Sequence, residues 1–251
     1  LGCGYLGSQA AQFWRERGDR VIGNIRSPEK EKIVSSFCDE VEHSLDLLLD
    51  RVDCLLVCVA PKVGTADAYR ETYLYTAERI RTILSQTSLR RLRQILYTSS
   101  ASVYGEHAGA WVFEMDELFS LTEQAKILVE TENLFLAIQA CRVAIFRIGE
   151  LVGPGREISD KLKARLGLPF PGTGEAFVNL TPLDLLIRGL DFAKNGRLAG
   201  IFNLCSNEHP TRKSLYERVA KEYQLPPILW NASISSPPGG NKRLCCDNLK
   251  S

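Results

Sequence analysis

The sequence predicts an α/β fold, with a doubly wound parallel Rossmann sheet and a small C-terminal substrate lobe. Two observations predict it. A G-x-G-x-x-G turn, formed by Gly2, Gly4 and Gly7, leads directly into a helical pattern. After it, apolar strand patterns alternate with helical patterns, as in open sheets with right-handed crossovers. The length of 251 residues and the 45% hydrophobic content suit one or two domains of this kind.

The glycine turn is the first element, and each glycine has a role in binding a dinucleotide. Gly2 permits the tight turn, Gly4 lets a pyrophosphate approach the backbone, and Gly7 lets the helix pack close to the sheet. The N-terminus of the helix offers N–H groups and the positive end of its dipole to the phosphates. The alternative is an ordinary glycine-rich turn between a strand and a helix.

The elements of the first half then follow in order. Ser27 and Pro28 are typical of a helix start, as N-cap and first helical residue. The continuous apolar run 52–60 is typical of a central parallel strand that helices cover on both faces. Other strands are predicted at 20–25, 40–43, 92–98 and 143–148, and helices at 65–84 and 121–140.

The second half is richer in Gly and Pro, which predicts loops at 149–155, 167–174 and 235–240. Helices are predicted near 159–166, 182–195 and 211–223, and a strand at 201–205. We therefore predict a Rossmann domain over residues 1–150 and a substrate lobe over 151–251, from which about 176–205 return to the Rossmann domain. Only Leu1 represents the strand expected before Gly2, so we expect the first few residues of this strand to be missing from the sequence.

The charge, hydropathy and cysteine content of the chain argue against several classes of binding partner. A net charge of +1 gives no electrostatic basis for binding nucleic acid or an anionic membrane. No apolar run approaches the ~20 residues that cross a bilayer, and no signal peptide is visible, so we predict a cytoplasmic protein. The eight cysteines include no C-x-x-C pair and the three histidines are scattered, which favours reduced thiols over a disulfide framework, and no metal site is predicted.

The end of the second strand indicates which cofactor binds. Sites that prefer NAD place Asp or Glu there, to bind the ribose 2′-hydroxyl. Here the strand ends in Asn24-Ile25-Arg26-Ser27, without a carboxylate. Arg26 is placed to pair with a 2′-phosphate, and Ser27 to add a hydroxyl. The sequence therefore favours NADP(H) over NAD(H); the alternative is an exposed arginine at a strand end.

A second motif runs from a strand into a serine-rich turn and ends in V-Y-G, over residues 97–105. It resembles the extended short-chain dehydrogenase/reductases, the NAD-dependent epimerase/dehydratase family, and the resemblance covers nearly the whole chain. Gly240-Asn241-Lys242-Arg243 also resembles a short, atypical branch. The resemblance implies hydride transfer between a nicotinamide and a carbinol or carbonyl carbon. In the family a Ser or Thr holds the substrate oxygen, and a Tyr, assisted by a Lys four residues later, moves the proton.

The family's Ser or Thr and its Lys have matching residues in this sequence, but its Tyr does not. Ser100 matches the substrate-holding hydroxyl and Lys126 the lysine, but Thr122 stands where the tyrosine is expected. A threonine hydroxyl cannot do the acid–base work of a phenol near neutral pH. Tyr104 is the nearest other phenol, although in the family it usually packs below the site. The alternatives are a turn role for Ser100, a solvated helix lysine at 126, and a helix N-cap at Thr122.

The predicted functional residues form two sets. The candidates for catalysis are Ser100, Thr122, Lys126 and Tyr104. The candidates for cofactor binding are Gly2, Gly4, Tyr5, Leu6, Gly7, Arg26, Ser27, Ala60, Ser99 and Lys126.

Two functions follow from these sets. The first is an oxidoreductase or isomerase that acts on a small, sugar-like hydroxyl or carbonyl substrate. The alternative is a non-catalytic NADP(H)-binding sensor or scaffold that has lost the tyrosine. A homodimer is also predicted, because the helices at 65–84 and 121–140 carry more apolar residues than one buried face needs; the alternative is a wide core stripe.

Overall fold

The computed structural model describes residues 1–25, 27–86, 91–119, 122–234 and 239–249. These residues divide into two units. The first unit comprises Leu1–Ser99, Glu123–Phe146 and Ile187–Ile201. The second comprises Ser100–Thr122, Arg147–Leu186 and Phe202–Ser251. The first unit thus includes two segments from later in the chain, residues 123–146 and 187–201.

Helices and strands alternate through the first hundred residues. In chain order they are α1 Tyr5–Glu16, β1 Ile22–Asn24, α2 Glu31–Val34, β2 Glu40–Glu42, α3 Leu45–Arg51, β3 Cys54–Val57, α4 Ala66–Tyr69, α5 Tyr75–Gln86 and β4 Gln94–Ser100. Short 3₁₀ turns cover Pro28–Lys30 and Ala101–Tyr104. This order confirms the predicted α/β class. The apolar run at 52–60 contains strand β3, which is the end strand of the described four-stranded sheet and not the central strand expected.

The rest of the chain continues with longer loops. Its elements are β5 Trp111–Val112, α6 Glu123–Leu136, β6 Arg142–Ile148, β7 Glu150–Val152, α7 Ile158–Lys163, β8 Phe170–Pro171, β9 Leu180–Pro182, α8 Leu183–Gly196, β10 Gly200–Leu204, α9 Arg212–Glu222, β11 Trp230–Asn231 and β12 Arg243–Leu244.

The main sheet has the strand order β10-β6-β4-β3 among the described residues. Strands β3 and β4 are parallel, with Cys54 opposite Gln94 and Val57 opposite Tyr97. Strands β1 and β2 form a separate parallel pair. Apolar side chains of α3, α5 and α6 pack on β3, β4 and β6 and form one hydrophobic core cluster, which includes Leu48, Ile80 and Phe135.

The edges of β1 and β3 border a cavity of about 610 Å³ within the first unit. Leu1 pairs with the β3 edge as a residue of a parallel strand does, because its nitrogen donates to Leu56 O at 2.7 Å and the Cys58 N–H donates to Leu1 O at 3.0 Å. The glycine turn therefore begins as soon as the chain leaves this sheet edge.

The long helix predicted at 65–84 differs from expectation. A π-helical turn, Arg70–Leu74, separates α4 from α5. The Thr76 hydroxyl donates to Thr72 O at 2.6 Å, a local side-chain bond of the kind that loosens a helix. Hydrophobic periodicity does not reveal such a turn, since apolar residues recur at helical spacing from Ala66 to Leu84 across it.

The second unit has small parallel pairs in place of a large sheet. Within the described residues these pairs are β7 with β9, β8 with β11, and β5 with β12. Its core packs Phe170, Tyr216 and Trp230 together, with ring centroids 5.0–5.8 Å apart. The pairing with β5 fixes the C-terminal segment beside the chain that follows the serine turn.

Candidate functional site

The glycine turn packs against the carboxyl end of β3. Gly2 has φ +86°, and a β-carbon there would lie 2.6 Å from the backbone carbon and oxygen of Cys58. A β-carbon at Gly7 would lie 2.2 Å from Gly2 O. Side chains are excluded at both positions, so α1 starts in close contact with the turn. Ligands of open α/β sheets bind at this end of the strands.

Gly4 lies on the open side of the turn. It is exposed, and no described atom beyond its chain neighbours comes within 4 Å of the position that its β-carbon would take. Gly4 is also the N-cap of α1, and no described side chain caps this helix. The first N–H groups of a helix have no partner inside the helix, so they can bond an anion placed over Gly4.

Tyr5 and Leu6 are the first two residues of α1. Leu6 is buried and anchors the first turn of the helix in the core, while Tyr5 is half-buried. The first turn carries no acidic residue. The N-terminal dipole is thus not offset by a carboxylate of its own helix, which favours an anionic ligand.

The end of β1 adjoins the glycine turn. The Cys3 sulfur lies 3.6 Å from Asn24 O, and the Asn24 side chain donates to Glu42 O at 2.8 Å. Arg26, predicted to bind a 2′-phosphate, lies outside the described residues. Ser27 is extended and precedes the 3₁₀ turn Pro28–Lys30, and among the described residues its hydroxyl accepts no capping bond. That hydroxyl stays available to a ligand.

Ala60 lies just after β3, and Ser99 is the residue before the last one of β4. Ala60 is exposed in the loop after β3. The Ser99 hydroxyl is buried and donates to Glu132 Oε1 at 2.5 Å. Sequence reasoning missed Glu132, although the spacing of Leu128, Glu132 and Phe135 places all three on the buried face of α6. The Ser99–Glu132 bond fixes the end of β4 to α6.

Ser100 ends β4 and opens the serine turn. Its Oγ accepts a hydrogen bond from Ser102 N at 3.1 Å, and the residue is half-buried. Because Oγ is the acceptor in this bond, the hydroxyl proton remains available to donate. The turn role and the substrate-binding role of Ser100 are therefore compatible.

Tyr104 is enclosed in the second unit. It is fully buried, its hydroxyl donates to Asn203 Oδ1 at 2.7 Å, and the Arg147 guanidinium lies 4.8 Å from the ring centre. Burial raises the pKa of the Tyr104 phenol. A phenol with a buried partner and a raised pKa is poorly suited to exchange protons with a substrate, so these contacts favour a packing role.

Thr122 and Lys126 lie at the start of α6. Thr122 immediately precedes the helix and is half-buried. Lys126 is exposed on the first turn of the helix. The catalytic role and the solvated role of this lysine both stay predictions.

The described residues meet neither the requirements of a metal site nor those of a membrane-spanning helix. Among the described residues, no group of three or more His, Cys, Asp or Glu side chains could hold a metal ion. No helix in the described part of the chain is long and apolar enough to cross a membrane.

The glycine turn and the serine turn lie within one matched family model. The model of the NAD dependent epimerase/dehydratase family matches residues 2–166. Protein YeeZ of Escherichia coli strain K12 is 27% identical over 261 residues, which cover 98% of this chain and 91% of that protein.

Solved structures share the fold at low sequence identity. A functionally unknown conserved protein from Silicibacter pomeroyi DSS superposes with a TM-score of 0.78 at 22% identity, over 99% of this chain and 89% of its own. MoeE5 in complex with UDP-glucuronic acid and NAD has a TM-score of 0.81 at 17% identity, with the same coverage. DesIV, a dTDP-glucose 4,6-dehydratase from Streptomyces venezuelae with NAD bound, has a TM-score of 0.78 at 17% identity, over 99% and 88%. Because the family model matches from the glycine turn to just beyond α7, over residues 2–166, the chain belongs to the NAD-dependent epimerase/dehydratase family.

Proposed function

We propose that this protein binds NADP(H) at the glycine turn and transfers hydride to or from a small, sugar-like hydroxyl or carbonyl substrate. The observation that carries the proposal is the geometry of the turn. Gly2 and Gly7 are closed to side chains by neighbouring backbone, whereas Gly4 opens onto free space at the N-terminus of α1. A turn with only a structural role has no need of that opening.

The preference for NADP(H) rests on the end of β1. No carboxylate stands there, and the Ser27 hydroxyl is available two residues after Ile25. Arg26 supplies a guanidinium, which pairs with a phosphate through two parallel hydrogen bonds. NAD is present in the MoeE5 and DesIV structures, so the preference for NADP(H) would distinguish this chain from those relatives.

The substrate class rests on the family and on Ser100. MoeE5 is complexed with UDP-glucuronic acid, and DesIV acts as a dTDP-glucose dehydratase, which favours a sugar-like substrate here too. Ser100 would donate its hydroxyl proton to the substrate oxygen, and Lys126 would bind near the nicotinamide ribose. The proton would travel through Ser100 with a water, or through a substrate group, since Thr122 replaces the tyrosine.

A second candidate function is a non-catalytic NADP(H) sensor or scaffold. The observation that favours it is the enclosed Tyr104, whose buried and hydrogen-bonded hydroxyl is poorly suited to proton transfer. A screen of hydroxyl and carbonyl compounds, followed by cofactor absorbance, separates the two. Turnover that falls in Ser100→Ala supports the enzyme, whereas tight NADP(H) binding without turnover supports the sensor.

We also propose that the protein forms a homodimer through α4–α5 and α6. Tyr75 on α5 and Leu136 at the end of α6 are 50% and 39% exposed, although both are large and apolar. Pairing these helices across a two-fold axis would cover both side chains. Light scattering at high micromolar concentration should give the dimer mass, and a monomer mass would exclude this arrangement.

A further inference from the structure

Two cysteine side chains meet beside the glycine turn. Cys3 is the second residue of the turn and is half-buried, and Cys38 is buried just after α2. A β-carbon on Gly23 would lie 2.8 Å from the Cys38 sulfur and 3.4 Å from the Cys3 sulfur. Both thiols therefore pack over the same glycine of β1, and the absence of a side chain there lets them come together.

The two thiols are chemically unequal. A hydrogen bond from Cys38 lowers the pKa of Cys3, and the same bond with burial raises the pKa of Cys38. Cys3 also precedes the N-terminus of α1, a position that stabilises a thiolate. In contrast, burial raises the pKa of Cys58 and of Cys141 to about 11. Cys3 is thus placed as a nucleophile, with Cys38 as its resolving partner.

We propose that Cys3 and Cys38 form a redox-sensitive dithiol that controls dinucleotide binding, an inference that rests on the proposed function of the turn. The oxidant is a small disulfide such as oxidised glutathione. The Cys3 thiolate attacks one of its sulfurs, an S–S bond forms as the old one breaks, and one glutathione thiolate leaves. The Cys38 thiol then loses its proton, attacks the Cys3 sulfur and expels the second glutathione, which takes up that proton. Two protein thiols are oxidised and one small disulfide is reduced.

The disulfide would disturb the pyrophosphate site because the turn has little freedom. Gly2 is held against Cys58, and Gly4 N donates to Gly2 O at 2.7 Å. Forming a bond of ~2.05 Å between the sulfurs draws Cys3 toward Gly23 and shifts the N–H groups next to it. By thermodynamic reciprocity, a bound dinucleotide should shift the thiol–disulfide equilibrium of Cys3 and Cys38 towards the reduced dithiol.

The test begins with the reduced protein, whose affinity for NADP⁺ is measured by calorimetry. The protein is then oxidised with glutathione disulfide, its disulfides are mapped by peptide mass spectrometry, and the affinity is measured again. We expect a Cys3–Cys38 disulfide, an affinity at least tenfold weaker and full recovery with dithiothreitol. At a fixed ratio of oxidised to reduced glutathione, we also expect a smaller oxidised fraction at equilibrium when NADP⁺ is present.

Variants separate the roles of the two thiols. In Cys38→Ser the oxidation should stop at a mixed disulfide between Cys3 and glutathione. In Cys3→Ser neither the mixed disulfide at position 3 nor the internal disulfide should form. Cys141→Ser is the matched control and should behave as the unmodified protein. Absence of NADP⁺ binding to the reduced protein would overturn the proposed function and this regulation together. Binding without a Cys3–Cys38 disulfide, or with that disulfide and an unchanged affinity, would overturn the regulation alone.

Discussion

Replacement of Gly4 by Val should abolish dinucleotide binding and leave the fold intact. Gly4 has φ −93°, a value open to any residue, and no described atom beyond its chain neighbours lies within 4 Å of its β-carbon position. The cost to stability should therefore be about 1 kcal/mol, the difference between Gly and a poor N-cap residue. The valine side chain would occupy the space that the pyrophosphate needs.

The loss of affinity can be estimated from the bonds that the phosphates would make. Two hydrogen bonds from helix N–H groups to charged oxygens contribute about 1.5–3 kcal/mol each. Losing both weakens binding by about 3–6 kcal/mol, or roughly 10²–10⁴-fold in Kd. Calorimetry with NADP(H) measures this loss, and thermal unfolding checks that the variant is folded.

A matched control is available at Gly64, in the loop after β3. Its β-carbon position is likewise free of described atoms within 4 Å, and its φ lies outside the left-handed region. Gly64→Val should bind the dinucleotide as the native protein does. A folded Gly4→Val variant with unchanged affinity would refute the assignment of the turn as a pyrophosphate site.

Three further predictions concern the second unit and the serine turn. Tyr104→Phe leaves the buried Asn203 oxygen without its hydrogen-bond donor. Denaturant titrations should show a loss of about 1–3 kcal/mol in the free energy of unfolding, and any turnover should be unchanged. A large loss of turnover in a stable variant would contradict the packing role of Tyr104. Burial lowers the pKa of the Lys242 ammonium to about 8. Above that pH the unfolded chain binds more protons than the folded one, so the free energy of unfolding should rise from about pH 8 towards pH 10.5. Lys242→Met should lose this rise, and an equal rise in both proteins would assign it to other groups. Ser100→Ala should lower any turnover, by ~10²–10⁴-fold if the Ser100 hydroxyl moves the proton. Thr122→Tyr should raise turnover or leave it unchanged. Turnover that is the same in Ser100→Ala as in the native protein would place the active site elsewhere.

The sequence predicts the fold well because the signals are local. The apolar run at 52–60 and the glycine turn each specify their own structure, and strand β3 and helix α1 form where these patterns indicate. The strand is shorter than the run, since the backbone after Val57 leaves the pairing with β4 and bonds Leu1. Local hydrophobicity cannot reveal where such pairing ends.

The candidate site is only partly predictable, because its decisive contacts join distant residues. Tyr104 and Asn203 are 99 residues apart, and Ser99 and Glu132 are 33 apart. A motif identifies Tyr104 as a phenol near the site, but only the packing of the second unit shows that its hydroxyl is enclosed. The nearness of Cys3 and Cys38 depends in the same way on the pairing of β1 with β2 and on Gly23 between them.

The most direct test of the proposed function is a comparison of NADP(H) and NAD(H) binding by calorimetry, in the native protein and in Arg26→Ala. The proposed function predicts tighter binding of NADP(H) to the native protein. It also predicts a loss of about 1.5–3 kcal/mol for NADP(H) alone in the variant, the value of hydrogen bonds to a charged group. Arg17→Ala, an exposed arginine that stacks on Phe13 after α1, is the control and should change neither affinity. Equal losses for both cofactors in Arg26→Ala would contradict the assignment of the 2′-phosphate site, and no binding of either cofactor would contradict the central claim.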